Sequence, residues 1–262
     1  MINQISQDLE TPPLISVVVP VFNEEATVSS LLDRLYNEPT NKEIIVVDDG
    51  SYDGSRSILE SWIAKISKLN SQTLRIVLIC HKSNRGKGRA VRTGLEVANG
   101  RFFIVQDADL ELCPSHYKDL LKPLTEGKAH VVLGRRISSA NSSRILHQLG
   151  ILLANSLLQF LYGYRVSDCA CCYKITSTKI LRAMELKCEG FEFCPEFLAK
   201  SARMRLTTEE IDVNYAPRNA NEGKKLQILR DGLRLVVTLV AFRTWKPARE
   251  IDNIEDQLLN TE

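Results

Sequence analysis

Two aspartates separated by one residue, Asp107 and Asp109, follow closely on the short apolar run 102–105. Carboxylates at this spacing can both reach a single hard cation, and oxygen ligands suit magnesium or manganese. A cation held in this way usually completes its shell with phosphate oxygens of a substrate, and it neutralises the charge that develops on a leaving diphosphate. Acidic pairs are also common in solvated loops, so the chemistry of this pair depends on its surroundings.

Two further polar segments could bind a nucleotide. The acidic segment 48–54 follows the apolar run 43–47; its residues favour a tight turn and a helix N-cap, and a carboxylate there can also hydrogen-bond a base or ribose. The segment 84–90 is basic and glycine-rich at a predicted helix start, where exposed backbone amides suit a diphosphate. Its spacing matches neither a Walker P-loop nor a Rossmann fingerprint, which disfavours an ATPase or a dehydrogenase.

The elements that must position these segments alternate along the chain. Apolar runs predict strands at 15–20, 43–47, 74–79, 102–105, 130–133 and 206–213. Helical patterns cover 25–35, 54–67, a segment from 88, 145–162, 191–203 and 226–243. Continuous apolar strands alternating with helices predict an α/β fold with a mostly parallel sheet covered on both faces. Ligands bind such sheets beyond the carboxyl ends of the strands, which is where the polar segments lie.

Two helices in the C-terminal half, 145–162 and 226–243, are amphipathic. The common role for such helices is core packing. They could instead lie in a membrane interface, with their apolar faces toward the lipid and their arginines at the level of the headgroups.

Length and composition limit the class of protein. The chain has 262 residues, a net charge of +2 and 44% apolar residues, which fits one large α/β domain as well as two small ones. The small net charge gives no reason to expect nucleic-acid binding. The N-terminus lacks the pattern of a signal peptide, and no segment reaches the roughly 18–20 apolar residues that span a bilayer. We therefore expect a cytoplasmic protein.

The cysteines support the same location. The chain has seven, and Cys169, Cys171 and Cys172 are crowded together. A zinc site needs paired ligands with a second pair or histidines nearby, and Cys188 and Cys194 do not provide that spacing. Buried, reduced thiols are the favoured interpretation.

The polar segments, taken in order, resemble the family 2 glycosyltransferases, in particular the dolichyl-phosphate mannose and glucose synthases and their bacterial relatives. The resemblance covers 18–24 (VVPVFNE), 48–54 (DDGSYDG), 84–88 (NRGKG), 106–111 (QDADLE), 134–136 (GRR), 168–174 (DCACCYK), 191–196 (FEFCPE) and 218–225 (RNANEGKK). It implies a GT-A fold and inversion at the anomeric carbon of the sugar. It also implies a single domain at 14–245, with a nucleotide-sugar half at 14–134 and an acceptor half at 135–245. We expect 1–13 to be a flexible arm and 246–262 a flexible polar tail.

The resemblance assigns roles to individual residues. Those implied to bind the nucleotide sugar are Pro20, Asn23, Glu24, Asp49, Lys87 and Asp107. Asp107 and Asp109 would hold Mg²⁺ or Mn²⁺. The implied catalytic residues are Asp109, Asp168 and Glu196. The alternatives are a turn at a strand end for Asp168, which is the less favoured interpretation, and an exposed helix position for Glu196. The residues that could bind an acceptor phosphate are Arg135, Arg136, Arg144, Arg218 and Lys224.

The implied activity is transfer of a hexose from a UDP- or GDP-linked sugar, as in cell-envelope biosynthesis. A polyprenyl phosphate acceptor is already anionic and needs no strong base, so positioning would be the main catalytic term. A sugar hydroxyl acceptor would need a base, for which Asp168 or Glu196 are candidates. A non-catalytic nucleotide-sugar-binding protein and a nucleotidyltransferase are the other hypotheses. With a lipid acceptor, the protein would lie on the cytoplasmic face of a membrane.

Overall fold

The computed structural model describes residues 2–5, 12–68, 74–137, 145–218 and 228–247. Its strands are β1 (Ile2–Ile5), β2 (Ile15–Val21), β3 (Lys42–Asp48), β4 (Arg75–Cys80), β5 (Phe102–Val105), β6 (Val131–Ile137), β7 (Lys174–Ser177) and β8 (Thr208–Asn214). Its α-helices are α1 (Val28–Asn37), α2 (Ser55–Lys68), α3 (Lys87–Val97), α4 (Tyr117–Thr125), α5 (Ile145–Tyr162), α6 (Thr178–Ala183), α7 (Phe193–Arg203) and α8 (Ile228–Ala241). Short 3₁₀ helices cover Pro114–His116 and Phe242–Thr244.

Within the described residues the strands form one sheet in the order β1-β4-β3-β2-β5-β7-β6-β8. The neighbours β4, β3, β2 and β5 are parallel. The short β7 is antiparallel to β5 and β6, and β6 is parallel to β8. All strands except β1 and β7 therefore end at the same edge of the sheet. The mostly parallel α/β architecture predicted from the sequence is confirmed.

The centre of the sheet is buried on both faces. Every residue of β3 is buried, as is every residue of β2 except Pro20. The helix α1 buries Val28, Leu31 and Leu32 with Leu35, the 3-4 spacing of a helix that covers a sheet with one face. This rigid centre fixes where the loops after β2, β3 and β5 emerge.

Some elements differ from the sequence prediction. Strand β1 lies inside the predicted flexible arm and pairs antiparallel with β4. Strand β7 and helix α4 were not predicted: β7 has a single aliphatic residue, Ile175, and α4 contains Pro123, which usually ends a helix. Both elements depend on tertiary packing. All four residues of β7 are buried, and the strand lies between β5 and β6, while α4 packs against β6. The division into two halves stays a prediction.

Helices α5 and α8 pack against each other, and the Tyr162 hydroxyl donates to the Leu239 carbonyl between them. They also expose a group of large apolar side chains, which we call the α5/α8 apolar surface. It comprises Leu152, Leu153, Phe160, Leu233, Val236, Val237 and Val240, between 42% and 85% exposed. Among the described residues, no helix combines the length and apolarity needed to cross a bilayer.

Candidate active site

The loop after β5 carries Asp107 and Asp109 and is held from beneath by Gln106. This glutamine is fully buried. Its Oε1 accepts hydrogen bonds from the hydroxyls of Tyr117 (2.9 Å) and Tyr173 (2.6 Å). Its Nε2 donates to the carbonyls of Asp107 (3.2 Å) and Leu112 (3.3 Å). The backbone that presents the two aspartates is thus fixed at both ends.

Lys87, the first residue of α3, forms an ion pair with Asp107. The distance between Lys87 Nζ and Asp107 Oδ1 is 2.6 Å, and both side chains are largely buried. Burial disfavours the charged forms, but their mutual attraction outweighs it, so the pKa of Lys87 is raised well above its usual value and the pKa of Asp107 is lowered. The ring of Phe191 lies 5.8 Å from Lys87 Nζ. The structure therefore brings together one predicted metal ligand and a lysine predicted to bind the nucleotide sugar.

Asp109 lies in a locally negative environment. Burial, followed by the charges of Asp107 and Glu111, raises the pKa of Asp109 to about 7. A carboxylate whose pKa is raised by neighbouring negative charges marks a place where a cation would be stabilised. Within the described ranges, no group of three or more His, Cys, Asp or Glu side chains could hold a metal ion. A cation at Asp107 and Asp109 would therefore take further ligands from a substrate, which suits magnesium or manganese.

The loops after β2 and β3 are joined by hydrogen bonds. The Asn23 amide donates to Ser51 Oγ at 3.0 Å, and the Tyr52 amide donates to Asn23 Oδ1 at 3.0 Å. Asn23 has φ 52°, a left-handed conformation that asparagine tolerates better than most residues. The Glu24 amide donates to Ser55 Oγ at 2.7 Å. The predicted nucleotide residues Asn23 and Glu24 thus lie in one rigid pair of loops at the end of the central strands.

Asp49 is buried and holds the glycine-rich turn in place. Its carboxylate accepts from the amides of Arg85 (3.0 Å) and Gly86 (2.8 Å), and His81 Nδ1 lies 2.6 Å from Asp49 Oδ1. The amide of Arg89 donates to the Glu189 carbonyl. The sequence predicted exposed amides here, and these three are engaged within the protein instead.

Arg218 connects the segment after β8 to both donor-side loops. Its side chain donates to Glu24 Oε2 (2.6 Å) and to the Asp109 carbonyl (2.8 Å), and its amide donates to Glu111 Oε1 (2.9 Å). The Tyr215 hydroxyl donates to the other oxygen of Glu111. Arg218 therefore braces the site from within the protein, a position that the prediction of an acceptor-phosphate contact did not anticipate.

Asp168 and Arg136 are paired with each other. The Arg136 guanidinium donates to both carboxylate oxygens of Asp168, at 2.6 and 2.8 Å. Burial alone would raise the pKa of Asp168, but the hydrogen bonds and charge of Arg136 lower it overall. A carboxylate held ionised in this way is a weak proton acceptor. The geometry favours a structural role for Asp168 over the predicted catalytic one.

Glu196 is fully buried, not at an exposed helix position. Its carboxylate accepts from the amides of Lys187 and Cys188, each at 2.7 Å, and from Lys200 Nζ at 2.6 Å. All of these contacts lie within the protein, which favours a structural role for Glu196 over the predicted catalytic one.

The remaining predicted residues are dispersed. Pro20 lies in β2 and is half-buried. Arg135 is exposed and pairs with Asp212 at 2.5 Å. Arg144 and Lys224 lie outside the described residues. Gln106 was noted in the sequence without a role, and His81 was missed; Tyr173, which donates to Gln106, and Asp49, the partner of His81, are both distant along the chain.

Comparison with known proteins identifies relatives. Residues 16–184 match the model of the family described as Glycosyl transferase family 2. The chain is 31% identical to the undecaprenyl-phosphate 4-deoxy-4-formamido-L-arabinose transferase of Aeromonas hydrophila, over 90% of this chain and 69% of the relative. It is 26% identical to the dolichyl-phosphate β-glucosyltransferase of Dictyostelium discoideum, over 87% of this chain and 73% of that one.

A solved structure shares the fold. The glucosyl-3-phosphoglycerate synthase of Mycobacterium tuberculosis, in complex with Mn²⁺, UDP and phosphoglyceric acid, aligns with a TM-score of 0.65 and 20% identity. The alignment covers 90% of this chain and 80% of the synthase. At this identity the likeness establishes the architecture, in agreement with the fold predicted from the sequence.

Proposed function

The chain belongs to the glycosyl transferase family 2, and on that premise we propose that it transfers a hexose from a UDP- or GDP-linked sugar to a polyprenyl phosphate, with inversion at the anomeric carbon. The relatives named for undecaprenyl and dolichyl phosphate support this class of acceptor. The main support for the proposal is the environment of Asp168 and Glu196, the two carboxylates that were predicted as possible general bases.

A sugar hydroxyl must lose a proton as it attacks, so an acceptor of that kind needs a general base within reach. Of the two carboxylates that the sequence offered, Asp168 is held by Arg136 and Glu196 by Lys200 and two amides. A polyprenyl phosphate attacks with an oxygen that is already anionic. The pairing of both carboxylates therefore favours a phosphate acceptor over a sugar hydroxyl.

The donor would be bound at the ends of β2, β3 and β5. Asp107 and Asp109 would hold a magnesium or manganese ion, which when bound neutralises charge on the leaving diphosphate. Lys87 lies beside Asp107 and can donate to the same diphosphate. The loops at Asn23 and Asp49 would form the nucleoside pocket, the rigid part of the site.

The acceptor phosphate needs cations. Arg135 is 48% exposed, and its partner Asp212 is 45% exposed. Exposed ion pairs contribute only about 0–1 kcal/mol, so a phosphate can take the place of Asp212. Arg144 and Lys224 keep their predicted role as further phosphate ligands.

We also propose that the protein lies on the cytoplasmic face of a membrane. The α5/α8 apolar surface exposes seven large apolar side chains on two helices that pack together, and clustered exposed apolar groups mark interaction sites. A lipid acceptor must be reached at the headgroup level, which suits helices that lie in the interface.

The test is an acceptor panel. The protein is incubated with Mn²⁺ and UDP- or GDP-hexoses, alone or with a polyprenyl phosphate, the matching polyprenyl alcohol or an oligosaccharide, and released UDP or GDP is measured. We expect release that depends on the polyprenyl phosphate, with none for the alcohol, because the alcohol lacks the anionic oxygen. Release with the oligosaccharide alone would favour the hydroxyl-acceptor alternative and overturn the proposal.

A further inference from the structure

The buried pair Glu196–Lys200 has no part in the proposed reaction. Both side chains are fully buried on α7, with Lys200 Nζ 2.6 Å from Glu196 Oε1. Burying two charges is costly unless additional hydrogen bonds satisfy them. Lys200 also donates to the Glu185 carbonyl at 2.9 Å, and Glu196 accepts from two backbone amides. The contacts at the two ends of this pair indicate what it does.

At one end, Glu196 holds the loop 187–190. One carboxylate oxygen accepts from the Lys187 amide and the other from the Cys188 amide, each at 2.7 Å. A single rigid carboxylate thereby fixes two successive peptide groups. The carbonyls of Cys188 and Glu189 in the same loop lie against the start of α3.

The backbone of the loop 187–190 packs directly against the backbone of the glycine-rich turn that contains Gly86 and Gly88. A Cβ on Gly88 would lie 2.4 Å from the Cys188 carbonyl oxygen, and a Cβ on Gly86 would lie 2.4 Å from that of Glu189. No side chain fits at either position, so both glycines are required by this approach. Lys87 stands between them, and its placement beside Asp107 therefore depends on the loop.

At the other end, Lys200 is covered by aromatic rings. Its Nζ lies 4.6 Å from the centroid of Phe242 and 5.0 Å from that of Trp245. The Arg203 side chain donates to the Trp245 carbonyl at 2.9 Å. A desolvated ammonium is attracted to aromatic faces. These rings follow α8 directly, so they belong to the helix that carries part of the α5/α8 apolar surface.

We infer that Glu196 and Lys200 are positioning residues that couple the segment 242–245 to the donor diphosphate site. The order of contacts is Trp245 to Lys200, Lys200 to Glu196, Glu196 to the loop 187–190, and that loop to the turn that carries Lys87. The inference rests on the proposed donor site. It adds that this site is correctly formed only when the segment after α8 is docked on α7.

The first experiment replaces a residue at the far end of this connection. Trp245→Leu keeps an apolar side chain but removes one of the two aromatic faces over Lys200 and leaves that of Phe242. Trp62→Leu is the matched control, because Trp62 is buried on α2 and donates to Asp33. Affinity for UDP and for GDP, each with Mn²⁺, is measured by calorimetry, and stability by thermal melting. We expect Trp245→Leu to raise the Kd several-fold and Trp62→Leu to lower the Tm with the Kd unchanged.

The second experiment observes the connection directly. The chain has two tryptophans, so in Trp62→Phe the tryptophan fluorescence, excited selectively over tyrosine, comes from Trp245 alone. We expect its emission to change when the nucleotide that binds is added with Mn²⁺. Adding Lys200→Met should abolish the change, and Lys200→Arg, which keeps the cation, should retain it.

The outcomes of these experiments distinguish a failure of the proposed coupling from a failure of the proposed donor site. Nucleotide binding with no response from Trp245, or an equal loss of affinity in the two leucine variants, would overturn the coupling and leave the donor site intact. Failure of the unmodified protein to bind either nucleotide with Mn²⁺ would overturn the donor site and the coupling with it.

Discussion

Gln106 shows how one side chain can prepare a site that it does not itself form. Its amide accepts from Tyr117 and Tyr173 and donates to the carbonyls of Asp107 and Leu112. Buried polar groups are stable when each has a partner, and here both ends of the amide are satisfied. The loop that carries the aspartates is thus shaped before a ligand arrives, which reduces the cost of ordering it on binding.

This network leads to a graded prediction. Gln106→Leu leaves two hydroxyls and two carbonyls without that partner, and each unsatisfied buried group costs about 1–3 kcal/mol. Tyr173→Phe removes one hydroxyl together with its bond, for about 1 kcal/mol. We expect urea unfolding to show a much larger loss of stability for Gln106→Leu, and transferase activity to fall in the same order. Equal stability of the two variants would contradict the role assigned to Gln106.

At the residue scale, the sequence indicates which residue types could act in the site but not which residues they contact. Asp107 and Lys87 were both predicted to bind the nucleotide sugar, and the structure places them in contact. The pairing of Arg136 with Asp168 joins residues 32 positions apart, and nothing in the local pattern indicates it. Arg136 was assigned an acceptor-phosphate contact and Asp168 a catalytic role. A charged side chain indicates its possible chemistry in the sequence, but the sequence does not show which oppositely charged group neutralises it.

At the scale of elements, helices α5 and α8 contribute more than packing. They contact each other, yet side chains such as Leu153 (72%) and Leu233 (67%) remain exposed. The sequence predicted both helices and left open whether their apolar faces enter the core. In the structure each helix has both buried and exposed apolar side chains. Leu158 of α5 and Leu239 of α8 are buried, while the residues of the α5/α8 apolar surface are exposed.

This surface can be tested with vesicles. Leu153→Asp and Leu233→Asp should weaken sedimentation with phosphatidylglycerol vesicles, because burying a leucine contributes about 1.5–3 kcal/mol and a carboxylate is repelled by anionic lipid. The control is Tyr52→Asp, which places the same charge at a residue 84% exposed on the loop after β3. Loss of binding in the control as well, or in none of the three, would rule out this surface as the membrane contact.

Other elements could not be predicted because their stability comes from the whole sheet. Strand β7 reads as a polar segment, yet Lys174 and Thr176 are both buried in it. Its antiparallel pairing with β5 and β6 closes the gap between the two groups of parallel strands. Helix α4 tolerates Pro123 in its last turns because it packs on β6. Hydrophobic periodicity predicts an element only when the element's own residues show the pattern. It does not predict elements such as β7 and α4, which are stabilised by packing against neighbouring strands.

At the scale of the whole molecule, topology gathers the site. The parallel strands end at one edge, so loops from 23 to 218 meet around Asp107 and Asp109 although they are distant in sequence. Arg218 closes this ring by joining the segment after β8 to Glu24. The predicted fold was sufficient to expect convergence of the acidic loops. The closure from the C-terminal side depends on β8, whose position beside β6 is a long-range feature.

The central proposal for this protein is that the sugar is transferred to the phosphate oxygen of a polyprenyl phosphate. The most direct measurement is ³¹P NMR of the lipid after reaction with the donor and Mn²⁺, with Asp109→Asn as the control that removes a proposed metal ligand. We predict that the phosphate monoester signal is replaced by that of a phosphodiester, and that Asp109→Asn prevents the change. An unaltered monoester signal while nucleotide is released would contradict the claim.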